Sequence, residues 1–173
     1  MKNDGNPPAR GRRHTRAFAL ALLLACGPPV GAAAAGIANV AGAAAAIRRT
    51  TTIPVFLPRA LPDSIVGGAG LRLTVVTSNA SSYEAAIATR RGCVRPACRL
   101  GFVRGARAGT TRVSGDLVRL GNGRTASYEA ATCAAGCTMS TLAWRDGNDR
   151  YELGLRGASL VELRSSAASF ARY

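Results

Sequence analysis

Histidine is almost missing from this 173-residue chain: His14 stands alone, inside a basic N-terminal segment. A Ser–His or Cys–His pair therefore cannot be assembled downstream, because the base that would take the nucleophile's proton is not there. Acids are also scarce, nine against 23 basic residues. General acid–base work would fall to a pair such as Glu129 and Glu152 on neighbouring strands, and salt bridges to the abundant arginines account for both more simply. Asp146 and Asp149 fall in a turn, where acids satisfy backbone donors. Lysine stops at Lys2 and every later basic residue is arginine, amid abundant alanine and glycine, which is the composition a GC-rich coding bias produces. The arginines are scattered with no dense run, so attraction to polyanions would be non-specific and no specific nucleic-acid surface is expected. Gly67-Gly68-Ala69-Gly70 reads as a loop, not as a phosphate cradle between strand and helix. Long hydrophobic runs are missing too: Ala17–Ala25 is nine residues, against the roughly twenty that span a bilayer.

What is present begins with an export pattern. Lys2, Arg10, Arg12, Arg13 and Arg16 precede the apolar run 17–25, the order of a secretory signal. Two cleavage sites compete. Leu23-Leu24-Ala25-Cys26 resembles a lipobox, which would make Cys26 a lipidated N-terminus; Ala33-Ala34-Ala35 is an ordinary small-x-small site that would discard Cys26. We read residues 1–35 as the signal peptide or lipoprotein leader, 36–52 as an Ala/Gly-rich linker, and 53–173 as a single disulfide-containing domain. Removing the leader takes away five basic residues and one acid, so the formal charge falls from +14 to +10.

The domain opens with Ile53–Pro62, where three prolines withhold amide donors and impose an extended lead-in. Leu71–Thr77 alternates with period two, turns at 78–82 and returns along Tyr83–Thr89 as a hairpin. Arg99–Gly105 is a further strand. Asp116–Leu120 and Arg124–Tyr128 flank Gly121-Asn122-Gly123, a hairpin signal that supplies positive φ. Met139–Trp144 and Tyr151–Leu155 form another pair around 145–149. Ser159 and Glu162 make a capping box, after which Leu160, Leu163, Ala167 and Phe170 recur at helical spacing. The expected fold is α+β: an antiparallel meander sheet with the C-terminal helix packed on one face.

Four cysteines remain after the leader, Cys93 and Cys98 in one loop and Cys133 and Cys137 in another. Disulfides persist in oxidising extracytoplasmic compartments, so the pairs agree with export. Local pairing would contribute roughly 2 kcal/mol per bridge, and a crossed bridge closing about forty residues nearer 4 kcal/mol. Native geometry decides between them, and each pair lies within its own turn, which favours local bridges. The sharper alternative is a zinc site of four thiolates, against which export argues. The spacing is looser than the C-x-x-C of thiol redox sites. No metal, cofactor or catalytic residue is expected.

Taken in order, Pro54-Val-Phe-Leu-Pro58 with Leu61-Pro62, Cys93-x4-Cys98-x2-Gly101, Leu120-Gly-Asn-Gly123, Cys133-x3-Cys137, Trp144, Tyr151 and a C-terminal helix give a pattern over residues 53 to 170. It resembles a family of small exported bacterial proteins of unknown function, familiar from cyanobacteria. The resemblance implies an extracytoplasmic location and no established activity or catalytic residues. The leading expectation is an exported cell-envelope protein, periplasmic or lipid-anchored, that binds an envelope component or protein without catalysis and meets the membrane only through its leader or lipid. Two alternatives stand beside it: a cell-wall or lipid-directed enzyme with a carboxylate site, and a basic polyanion-binding protein.

Overall fold

The computed structural model describes residues 34–67, 70–90, 98–109, 114–133 and 136–173, all within one compact unit, Gly31–Tyr173. Most of the expected leader, with Cys26, and the cysteine Cys93 lie outside the described residues. In chain order the elements are β1 (Ala34–Ala38), α1 (Val40–Arg48), β2 (Phe56–Pro58), β3 (Ala60–Pro62), α2 (Asp63–Val66), β4 (Leu71–Asn79), β5 (Ser82–Ala88), β6 (Arg99–Arg107), β7 (Asp116–Arg119), β8 (Thr125–Glu129), β9 (Ser140–Asp146), β10 (Asp149–Leu155), α3 (Leu160–Ala168) and β11 (Phe170–Arg172). The content is mixed α+β, with a large, mostly antiparallel sheet and a C-terminal helix. Nine strands join in the order β3-β1-β4-β5-β6-β10-β9-β8-β7, and β11 pairs with β2 in a separate ribbon. Among the described pairs only β1–β4 is parallel. No described helix is long and apolar enough to cross a membrane.

The segment 36–52, expected as a linker, instead enters the fold. Ala34, Ala35 and Gly36 pair with Pro62, Leu61 and Ala60, and α1 buries Val40, Ala43, Ala44 and Ile47. Alanine is the best helix former, and positions 40, 43, 44 and 47 put one apolar stripe on one side of the helix. Low complexity concealed that period. Asn39 precedes the helix with φ 62°, a left-handed conformation that asparagine tolerates. Its Nδ2 donates to the Leu73 carbonyl at 2.9 Å, and the Leu73 amide donates to its Oδ1 at 3.1 Å. The side-chain amide thus occupies both backbone groups of Leu73, as a neighbouring strand would.

Every period-two run read from the sequence is a strand, although β5 is rich in alanine. Ala85, Ala86 and Ala88 are wholly buried, so packing on both faces outweighs the poor strand propensity of alanine. The loop after β7 differs in its turn chemistry: Gly123 has φ 80°, whereas Asn122 is not in the left-handed region. With Leu120 N–H bonded to Arg124 O and Gly123 N–H to Leu120 O, it is a three-residue connection that needs positive φ only at its last residue.

Two strand tyrosines fasten the proline-rich lead-in to the sheet. The Tyr83 hydroxyl accepts from the Phe56 amide at 3.0 Å and donates to the Phe56 carbonyl at 2.9 Å. Tyr151 donates to the Pro54 carbonyl at 2.9 Å. Burial pushes both phenols above their ordinary pKa. Phe56 meets Tyr151 edge-on at 4.8 Å, and Trp144 meets Phe170 edge-on at 5.1 Å. At α3 the capping box forms as expected, and the Ser64 hydroxyl adds a 2.5 Å bond to Glu162.

Tyr83→Phe strips the Phe56 amide and carbonyl of their shared partner in a buried site, and should lower stability by roughly 1–3 kcal/mol. Tyr151→Phe, which removes one bond, should cost less; urea denaturation of the two variants checks both magnitude and order.

Candidate functional site

Strand glycines create the site. Gly154 on β10 lies opposite Phe102 on β6, and a Cβ built on Gly154 would come within 2.3 Å of the Phe102 ring. The ring therefore lies down on the glycine. On the other face the same arrangement recurs, with Gly105 beneath Tyr83 at 2.3 Å. Glycine weakens a strand unless something must approach its backbone closely, and here aromatic rings do.

The lowered Phe102 ring carries two guanidinium groups, with Arg104 Cζ 4.2 Å and Arg99 Cζ 5.2 Å from its centroid. Such stacking contributes roughly 0.5–2 kcal/mol per pair, more when water is excluded. Both arginines converge on Glu84 of β5, at 2.5 Å from Arg99 and 2.8 Å from Arg104. Burial works to raise the Glu84 carboxyl, but hydrogen bonds from Arg104 and Arg99 outweigh it and hold the group below the usual carboxylate range. Glu152 on β10 is shared by Arg150 at 3.6 Å and Arg104 at 4.0 Å. The guanidiniums of Arg99, Arg104 and Arg150 thus face two carboxylates on this side, and Arg156 lines the groove as well.

From there a groove of about 900 Å³ runs across the sheet toward β7 and β8. Its floor follows one cross-strand row, Phe102, Gly154, Thr141 and Glu129, each directly opposite the next on β6, β10, β9 and β8. Gly154 and Thr141 keep the middle shallow. The far wall holds Gly115, Asp116 and Glu129, with Ser114 donating to Glu129 Oε1. Among the described residues no arginine pairs with Asp116 or Glu129.

Cys133 and Cys137 are bridged to each other, and Cys137 lines the groove. The bridge lies in a loop that Thr132 and Thr138 also close, through a 2.9 Å backbone bond and a 2.8 Å bond from the Thr132 amide to the Thr138 hydroxyl. This is the local pairing, and it withdraws two thiolates from a four-cysteine zinc site. Cys98 is also disulfide-bonded, ahead of Arg99; its expected partner Cys93, like the lipidation candidate Cys26, lies outside the described residues. Among the described residues no three His, Cys, Asp or Glu side chains are grouped to hold a metal.

Of the acids singled out from the sequence, Glu152 is paired with arginine as expected and Glu129 is bound to a serine instead. Asp146 and Asp149 bind arginines across strands, Arg124 at 3.0 Å and Arg107 at 3.7 Å, so these turn acids answer charge on neighbouring strands. Sequence reasoning missed Arg99, Phe102 and Arg104. The signal was there: Gly101, Gly105 and Gly154 sit inside runs that otherwise read as strands.

Because Glu84 is held low, its stabilising contribution is full above the unfolded carboxylate pKa and fades as pH falls through the depressed folded value. Glu162 is held low as well, chiefly by its bond from Ser64, and shares that window. Glu84→Gln should lose less stability on acidification than the wild type while keeping the Glu162 share; urea midpoints from pH 7 downward measure the difference.

Comparison with known proteins returned no matching family model, no matching curated protein and no matching solved structure.

Proposed function

We propose that the chain is an exported, non-catalytic envelope protein that binds an envelope component through the groove on the Phe102 face of its sheet. In this reading the architecture is an antiparallel meander with α3 laid on one face, which leaves the opposite face for a ligand. The observation that carries it is the groove itself: about 900 Å³, a floor kept low by Gly154 and Thr141, and an aromatic ring dressed with arginines at one end. A volume of that size suits a small-molecule or peptide site. The Cys133–Cys137 bridge at the groove wall fits an oxidising compartment. The resemblance to small exported bacterial proteins points the same way.

The pairing of Ala34 and Ala35 with β3 bears on the leader. Cleavage after Ala35 would remove two of the residues that β1 contributes to the sheet. Cleavage before Cys26 leaves β1 whole, and so supports the lipid-anchored form. A polyanion-binding protein is less well supported, because Glu84 and Glu152 are interleaved with the groove arginines and offset their charge.

One observation favours the enzyme alternative. Glu129 lines the groove without an arginine partner among the described residues, as a carboxylate acting on cell-wall or lipid material would require, while Asp116 sits on the edge strand opposite Tyr128. Against it, a Ser114 hydroxyl already occupies one Glu129 oxygen.

The test is co-sedimentation of the full chain with purified bacterial sacculi and with phospholipid vesicles, followed by analysis of the supernatant. Wild-type protein should bind one of the two without releasing product. Thr141→Trp, which fills the floor, should abolish binding at unchanged thermal stability. Product release that disappears in Asp116→Asn and Glu129→Gln would instead establish the enzyme, and binding that survives Thr141→Trp would remove the groove from the account.

A further inference from the structure

The groove has opposite charge at its two ends, and its length is set by the sheet. We infer that it takes a short extended peptide with both termini free, the carboxylate held by Arg104 and Arg99 beside Phe102 and the amine held by Glu129. This deepens the binding reading above and rests on it.

Charge complementarity comes first. On the β6–β10 side Arg99, Arg104 and Arg150 face Glu84 and Glu152, three cations to two anions, with Arg99 and Arg104 stacked on the Phe102 ring. On the β7–β8 side Glu129, which continues the Phe102 row, has no arginine partner among the described residues and leaves negative charge there. A single-sign ligand would satisfy one end and be repelled by the other, at a cost in affinity for the wrong partner. A dipolar ligand satisfies both. Arginine also presents a planar fork of donors that matches a carboxylate, whereas Glu129, with one oxygen engaged by Ser114, keeps acceptor capacity for an ammonium.

Length comes second. Phe102 and Glu129 are separated by three strand spacings, β6 to β10 to β9 to β8. At about 4.8 Å per spacing the row is roughly 14 Å long. An extended chain advances about 3.3 Å per residue, so three or four residues match that span once the reach of the arginine and glutamate side chains is counted. A phospholipid ethanolamine headgroup carries its charges too close together to reach both ends. The middle of the row, Gly154 and Thr141, offers low relief where a peptide backbone can lie.

The test uses the full chain and follows the backbone amide signals of Gly154 and Thr141 by NMR while unblocked tetra-alanine, its N-acetylated form, its C-amidated form and glycerophosphoethanolamine are titrated. The unblocked peptide should bind, and either blocking group should weaken binding about tenfold, which corresponds to about 1.4 kcal/mol. In Glu129→Gln the penalty for acetylation should vanish while the penalty for amidation persists; in Arg104→Gln the pattern should reverse. Glu129 is exposed, so Glu129→Gln reports on binding even if Arg104→Gln, which loses its bond to Glu84, proves unstable. Equal binding of blocked and unblocked peptides, or binding of glycerophosphoethanolamine as tight as that of the peptide, would overturn this assignment. No shift with any of these probes, alongside co-sedimentation that depends on Thr141, would overturn it too and leave the broader binding reading standing.

Discussion

Two aromatic rings lying on strand glycines, one on each face, fix the centre of the sheet. Strands β4, β5 and β6 form one half and β10, β9, β8 and β7 the other, joined where β6 pairs with β10. Along that seam Phe102 lies over Gly154 on one face, and one strand over Tyr83 lies on Gly105 on the other. A side chain at either glycine would lift its ring. Lowering Tyr83 brings its hydroxyl to the backbone of Phe56, which fixes the proline-rich lead-in and the aromatic contacts around Tyr151 and Trp144. Lowering Phe102 gives Arg99 and Arg104 a flat surface to stack on and leaves the groove open beyond it. Core and candidate site are therefore two sides of one packing solution.

The scarcity of aromatics makes this economical. With four tyrosines, four phenylalanines and one tryptophan in the chain, each ring must serve several contacts. Phe56 supports Tyr151, receives the Arg124 guanidinium at 5.7 Å and presents its backbone to Tyr83. Arginine, the abundant residue, covers apolar surface with its planar head while its charge is answered by the few acids. Hence half of the described acids appear as partners of arginine, at Glu84, Asp146, Asp149 and Glu152; Glu162 is held by serines at the start of α3, and Glu129 marks the far end of the groove.

Much of the fold was legible in the sequence because strands with one buried face must alternate. Leu71, Leu73 and Val75, or Tyr151, Leu153 and Leu155, announce themselves, and Ser159 with Glu162 marks a helix start through a local hydrogen-bonding pattern. Residues 36–52 were misread because alanine carries little hydrophobic contrast: a helix that buries Ala43 and Ala44 beside Ile47 looks like low complexity until its partner surface is known. The groove was illegible for a different reason. Its row draws on four strands, from Phe102 to Gly154, Thr141 and Glu129, and strand order is decided by long-range pairing that no local pattern encodes. Only the glycines hinted at it.

The most direct test of this account is the NMR chemical shift of the Gly154 and Gly105 α-protons in the full chain. Rings seated on these glycines place the α-protons under aromatic ring current, so both should resonate upfield of ordinary strand glycines, and Phe102→Leu should release Gly154 alone. Unshifted α-protons at Gly154 and Gly105, with no response to Phe102→Leu, would contradict the seam on which the fold and the groove depend.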